Sequence, residues 1–141
     1  MTRYLLDTNV VVWLLLGDRS TIPESVVTTI SDPQAEPLVS AASVWEIAIK
    51  RSVGKLMIDP AWPRELARLD LLALPVTAEH AAAVAGLPWH HRDPFDRLLI
   101  AQATVEDATL VTADRRLDTY GVPTLWSASR RPSRKERRSA T

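Results

Sequence analysis

Residues 90–103 read HHRDPFDRLLIAQA, and the placing of every other segment follows from this stretch. Asp93 has the character of a helix cap and Pro94 of a first helical residue. Asp96 then falls at the third helical position, where free amide N–H groups and the helix dipole favour a carboxylate. The pattern predicts a helix over Pro94–Glu106. Taken alone, D-P-x-D is a capped helix start and nothing more. Its significance comes from three further acids that the rest of the chain carries to equivalent places.

The chain has 141 residues, 46% of them apolar and 24% charged. That suits one domain with one packed core. It has no cysteine, which removes disulfides, thiolate metal sites and cysteine nucleophiles. No apolar run reaches the length of a membrane span, since Val10–Leu16 stops at Gly17-Asp18-Arg19. The start, Met1-Thr2-Arg3 followed by a short apolar run and Asp7, does not resemble a signal peptide. We therefore expect no membrane association and a cytoplasmic location.

Net charge is zero but unevenly spread. Residues 127–141 carry Arg130, Arg131, Arg134, Lys135, Arg137 and Arg138 against Glu136, a net +5, which leaves −5 on residues 1–126. The tail lacks apolar periodicity and is expected to be flexible. An acidic body is a poor polyanion binder unless a divalent cation neutralises the acids locally.

Working outward, a strand is expected at Arg3–Leu6, ending at Asp7. Helices follow at Val10–Leu16 and Pro23–Ser31, with Asp32–Pro37 a turn and Leu38-Val39 a brief strand. Ser40–Arg51 reads as a helix in which Ser43 and Glu46 form an S-x-x-E capping box. Trp62–Leu69 is helical, Leu71–Val76 a strand marked as an edge or a strand end by Pro75, and Ala78–Ala85 a helix capped by Thr77. After the opening helix come a strand at Thr109–Thr112, a turn at Arg115–Thr119 and a last strand near Thr124–Trp126. Alternating strands and helices predict an α/β fold, a single compact domain over residues 1–126 whose central, mainly parallel sheet is flanked by helices.

In such a sheet, strand C-termini and helix N-termini share one rim. Asp7 and Asp114 lie just past strand ends. Glu46 and Asp96 are each read at a third helical position. All four carboxylates are thereby sent to one rim, with Asp93 one turn before Asp96. Ionised acids so crowded raise each other's pKa unless a cation is present. No lysine or arginine stands at matching positions to pair them all, although Arg97 is near. Oxygen ligands without thiolate suit magnesium or manganese, which can activate water and stabilise a phosphodiester under in-line attack. Asn9 and Thr112 are placed to add hydrogen bonds to water or phosphate.

Four strings now stand together: LLDTNVVVWLL with Asp7, SVWEIAIK with Glu46, DPFDRLLIAQA with Asp96 and LVTAD with Asp114. In order and spacing, from Tyr4 to Trp126, they resemble the PIN-domain family, and more narrowly the VapC toxins of bacterial VapBC toxin–antitoxin pairs. The resemblance implies a PIN-like ribonuclease domain dependent on Mg2+ or Mn2+. It makes Asp7, Glu46, Asp96 and Asp114 the metal-binding and catalytic acids. It also implies cleavage of structured RNA such as tRNA or rRNA, inhibition by a cognate VapB-like antitoxin, and a homodimer. Asn9, Thr112, Asp93 and Arg97 are expected to support the acids or the substrate.

Other features have plainer readings. His90 and His91 read as loop residues within reach of RNA, and His80 as structural. Of the five tryptophans, Trp45 beside Glu46 and Trp89 beside the histidines are candidates to stack on bases or receive an antitoxin segment. Two other functions compete. A haloacid-dehalogenase-like phosphatase would use Asp7 as nucleophile, but Asn9 replaces its second acid. A non-catalytic binding module would use the acids only as helix caps.

Overall fold

The structure, a computed structural model, describes residues 1–127. The expectation of a flexible basic tail falls, Ser127 apart, outside the described residues. Five strands form one sheet in the order β3-β2-β1-β4-β5, every adjacent pair parallel. They are β1 (Thr2–Leu6), β2 (Ala35–Ser40), β3 (Leu72–Leu74), β4 (Thr109–Val111) and β5 (Thr124–Leu125). The helices are α1 (Thr8–Leu16), α2 (Glu24–Ile30), α3 (Ala41–Ser52), α4 (Trp62–Ala67), α5 (Ala78–Ala83) and α6 (Pro94–Val105). Among the described residues, no helix is long and apolar enough to cross a membrane.

The central strands carry apolar residues in adjacent pairs, and strand geometry sends the two members of a pair to opposite faces. Leu6, Val39 and Val111 pack with Val10, Val26, Ile47 and Trp62 beneath α1–α4. Leu5, Leu38 and Leu110 pack with Leu99, Ile100 and Ala103 of α6 on the other face. A parallel sheet covered on both faces has this double core. Between them, Gln102 is fully buried and its side chain bridges Ser40 Oγ (2.6 Å) and the Pro75 carbonyl (3.3 Å). It thereby joins α6 to the ends of β2 and β3.

Four expectations are corrected. Residues 35–37 belong to β2 instead of a turn. Tyr4 faces Pro37 across the β1 pairing, while β3 reaches only to Leu38. Pro37 thus lies where one side of the strand has no neighbour in the sheet, which a proline tolerates. The third strand is three residues long, Leu72–Leu74, and stops before Pro75. Helix α3 is capped by Ser40, whose hydroxyl accepts from the Ala42 amide at 3.0 Å. Ser43 is buried inside the helix, where its Oγ accepts from Thr8 Oγ1 at 2.9 Å. The Ser43–Glu46 capping box therefore does not form, and Glu46 is the sixth helical residue instead of the third. A capping box does form at α5, where Thr77 Oγ1 accepts from the His80 amide and His80 Nδ1 accepts from the Thr77 amide.

The opening stretch folds as read. Asp93 Oδ1 accepts from the amides of Phe95 (2.9 Å) and Asp96 (3.0 Å), with Pro94 as first helical residue. Both bonds satisfy donors that the helix itself leaves free. Asp93→Ala is expected to lower stability by about 0.5–2 kcal/mol, measured by urea unfolding, with the α/β circular-dichroism signature retained.

Candidate functional site

Chain order reverses its direction across the sheet at β1. Strands β2 and β3 build to one side, then β4 and β5 to the other. The crevice beyond the C-terminal ends of β1 and β4 is where such sheets place ligands. Asp7 follows β1 there, and Thr112 and Asp114 follow β4.

Asp7 is 5% exposed and caps α1. Its Oδ1 accepts from the Asn9 amide at 3.2 Å, and its Oδ2 from Thr112 Oγ1 at 2.5 Å. The same Thr112 oxygen accepts from the Asp114 amide at 3.0 Å, so one hydroxyl ties the ends of β1 and β4 together. Burial pushes the Asp7 carboxyl above its ordinary value, against the bonds from Thr112 and Asn9, and Glu46 and Asp114 add to the rise. Glu46 projects from the second turn of α3, 7% exposed. Its Oε2 pairs with Lys50 Nζ at 2.8 Å, and its buried Oε1 has no hydrogen-bond partner among the described residues.

Asp96, at the mouth of α6, is pushed up to about 7 by burial first and then by the charges of Asp7, Asp93, Glu46 and Asp114. Asp114 is held below the usual carboxylate range because Arg116 bonds both of its oxygens, with contacts of 2.7–3.2 Å. The charges of Glu46 and Asp114 therefore reach both Asp7 and Asp96, and that of Asp7 reaches Asp96. Among the described residues, the group of three whose ligand atoms lie within 4.8 Å of one another is His91, Asp96 and Asp114, without Asp7 or Glu46. Expected pairing partners differ from those found. Lys50 and Arg116 each neutralise one acid, whereas the Arg97 guanidinium turns away and donates to the carbonyls of Val84, Leu87, Pro88 and His91. Asp93 spends Oδ1 on its cap, and Asn9 contributes its backbone amide to Asp7.

Sequence reasoning missed three participants. Lys50 carried a usable signal, since Glu46 and Lys50 stand four apart on one helix. Arg116 lies two residues after Asp114, a local turn contact that no periodicity marks. His91 enters the rim with Nε2 at 3.3 Å from Asp96 Oδ2 and 3.8 Å from Asp114 Oδ2. Both candidate tryptophans are exposed. Trp45 (62% exposed) stands edge-on to Phe95, and Trp89 (76% exposed) lies over the Arg97 guanidinium. A separate cavity of about 360 Å3 lined by Leu14, Arg19, Val27 and Asp70 contains none of the four acids.

The donor set fits a hard divalent cation. It offers carboxylate oxygens without sulfur, a buried glutamate oxygen with no partner among the described residues, and two carboxyls whose ionisation is penalised by burial first and by neighbouring acids second.

The PIN domain family matches residues 4–123. The chain belongs to the PIN domain family. PIN domains are in general nucleases, and PIN nucleases generally use divalent metals. Among solved structures, the chain is similar to VapBC2 from Rickettsia felis bound to a DNA fragment from their promoter. The TM-score is 0.70 at 17% identity, over 89% of this chain and 100% of that one. It is also similar to VapBC-1 from nontypeable Haemophilus influenzae, at TM-score 0.65 and 16% identity, over 88% and 97% of the two chains. FitAcB from Neisseria gonorrhoeae gives TM-score 0.60 at 18% identity, over 86% and 96%. No curated protein matches the chain in sequence. At these identities the likeness is one of fold.

The sign of the Asp96 shift gives a pH dependence. Its folded value, about 7, lies above its ordinary one. The protonated form is therefore favoured in the folded state, and that contribution is full below the ordinary carboxylate range. It is lost as pH rises through about 7. In the presence of a chelator, thermal unfolding should show stability falling from about pH 4 to about pH 8. In Asp96→Asn that fall should be shallower, and in wild type added divalent cation should restore most of the loss at the alkaline end.

Proposed function

We propose that the protein is a VapC-type toxin, a Mg2+- or Mn2+-dependent endoribonuclease that hydrolyses phosphodiester bonds of structured RNA such as tRNA or rRNA. In this reading residues 1–126 are the ribonuclease domain. A cognate VapB-like antitoxin holds it inactive, and it works as a homodimer in the cytoplasm. The single observation that carries the reading is the gathering of carboxylates whose charges raise Asp7 and Asp96 at the strand-order switch, with a lysine or arginine bonded, among the described residues, only to Glu46 and Asp114. The likeness in fold to VapBC structures supports the toxin–antitoxin part.

Asp7, Glu46, Asp96 and Asp114 would hold the cation, whose chemistry there is to supply activated water and to offset charge on the phosphodiester. The chain's own contribution is orientation. Thr112 and the Asn9 amide fix the Asp7 carboxylate, so its direction does not depend on a ligand. The cap at Asp93 sets where α6 begins, and with it the height of Asp96 on the rim. Both Asp7 oxygens accept hydrogen bonds within the fold, which gives the phosphatase reading no support.

Asp7→Asn and Asp96→Asn should each reduce cleavage of total tRNA in Mn2+ buffer by more than about 100-fold, and both should relieve growth arrest on induction. Circular dichroism should remain that of the wild type. Undiminished cleavage by both variants would overturn the assignment.

A further inference from the structure

His91 stands on the rim with its ring only 11% exposed at the side chain. Its backbone is fixed on both sides. The His91 amide donates to Tyr120 Oη at 2.8 Å, and its carbonyl accepts from Arg97 Nη1 and Tyr120 Oη, both at 3.4 Å. Its ring is fixed too, because the Asp93 amide donates to Nδ1 at 3.0 Å. A backbone N–H can only donate, so Nδ1 supplies its lone pair. The ring hydrogen is therefore on Nε2, and Nε2 is the atom directed at Asp96 and Asp114.

Proximity alone would make the histidine a third cation ligand, since one atom each from His91, Asp96 and Asp114 lie within 4.8 Å of one another. Hydrogen placement argues otherwise. A ligating nitrogen needs a free lone pair and donates through its other nitrogen, and here the other nitrogen is the acceptor of an amide. The buried Nε2 has no hydrogen-bond partner among the described residues, because neither carboxylate meets it with hydrogen-bond geometry. It is a donor held ready between two acids.

Resting on the function proposed above, we propose that His91 is a positioning residue of the rim: its Nε2–H, held near both acids and without an acceptor among the described residues, is taken up by the Asp96 or Asp114 carboxylate when these turn to a divalent cation, and orients them without ligating the ion. The Asp93 residue then serves twice. Its side chain caps α6, and its amide sets the tautomer of the residue that steers Asp96.

Two substitutions separate the two ends of the ring. His91→Asn retains an acceptor near the place of Nδ1 and removes the donor at the rim. His91→Gln extends an amide donor toward the place of Nε2. In the full chain, Mn2+ affinity measured by electron paramagnetic resonance should fall about 10–100-fold in His91→Asn. It should stay close to wild type in His91→Gln, with thermal unfolding of both variants recorded alongside. Nitrogen NMR of histidine-labelled, metal-free protein should show the Nε2-protonated tautomer. Wild-type Mn2+ affinity in His91→Asn would overturn the proposal, as would loss in His91→Gln alone. Nitrogen hyperfine coupling to bound Mn2+ that disappears in both variants would make His91 a ligand and overturn it equally. A change confined to KM for RNA would assign it to the substrate instead. Each of these outcomes leaves the four-acid reading standing, whereas failure of the wild type to bind Mn2+ removes both.

Discussion

All five strands run in the same direction, and the chemistry depends on that constraint. In a parallel sheet every strand ends on the same edge, and every connection must return over a face before the next strand can begin. The helices that make these returns start on the edge where strands stop. The charges of segments as distant as Glu46, Asp96 and Asp114 are thus brought within reach of the end of β1 without any long loop to carry them. The same returns cover both faces, which is why Leu5 and Leu6 are both fully buried although they point in opposite directions.

Collecting acids in this way costs stability, and the fold answers the cost unevenly. Asp7 receives neutral donors, the Thr112 hydroxyl and the Asn9 amide, which orient it but do not remove its charge. Glu46 and Asp114 receive cations from their own local sequence, Lys50 and Arg116. Asp96 has neither among the described residues, and burial with its acidic neighbours pushes it up to about 7. A rim whose charge is offset only in part has its stability tied to whatever cation it meets.

How much of this the sequence disclosed varies with the range of the interaction. Local chemistry was legible. Asp93 and Pro94 announced the start of α6, Thr77 that of α5, and the short apolar runs the strands. That Asp7 and Asp114 follow strand ends and that Asp96 opens a helix was also legible, because it needs only element boundaries, whereas Glu46, read at a third helical position, stands at the sixth. Long-range pairing was not. Pro33 and Pro37 made residues 32–37 look like a turn, and only the β1 neighbour makes part of that segment a strand. Ser40 and Ser43 are equally good caps on paper. The choice between them is made by Thr8, thirty-five residues upstream, which takes up the Ser43 hydroxyl. The approach of His91 to Asp96 depends on Tyr120 and Arg97 holding its backbone, and no spacing rule encodes that.

Arg97 has a wider consequence. The chain lacks cysteine, so nothing covalent closes the segment between α5 and α6. One buried guanidinium, 4% exposed, reaches carbonyls spread from Val84 to His91. It serves that segment as a noncovalent clasp, and unlike a disulfide it is indifferent to redox conditions. Its planar fork fits several carbonyls at once, a geometry that a lysine ammonium does not reproduce. The clasp sits one residue after Asp96. The segment cannot loosen without disturbing the start of the helix that carries the acid, so local order in this loop and the shape of the rim are a single mechanical property.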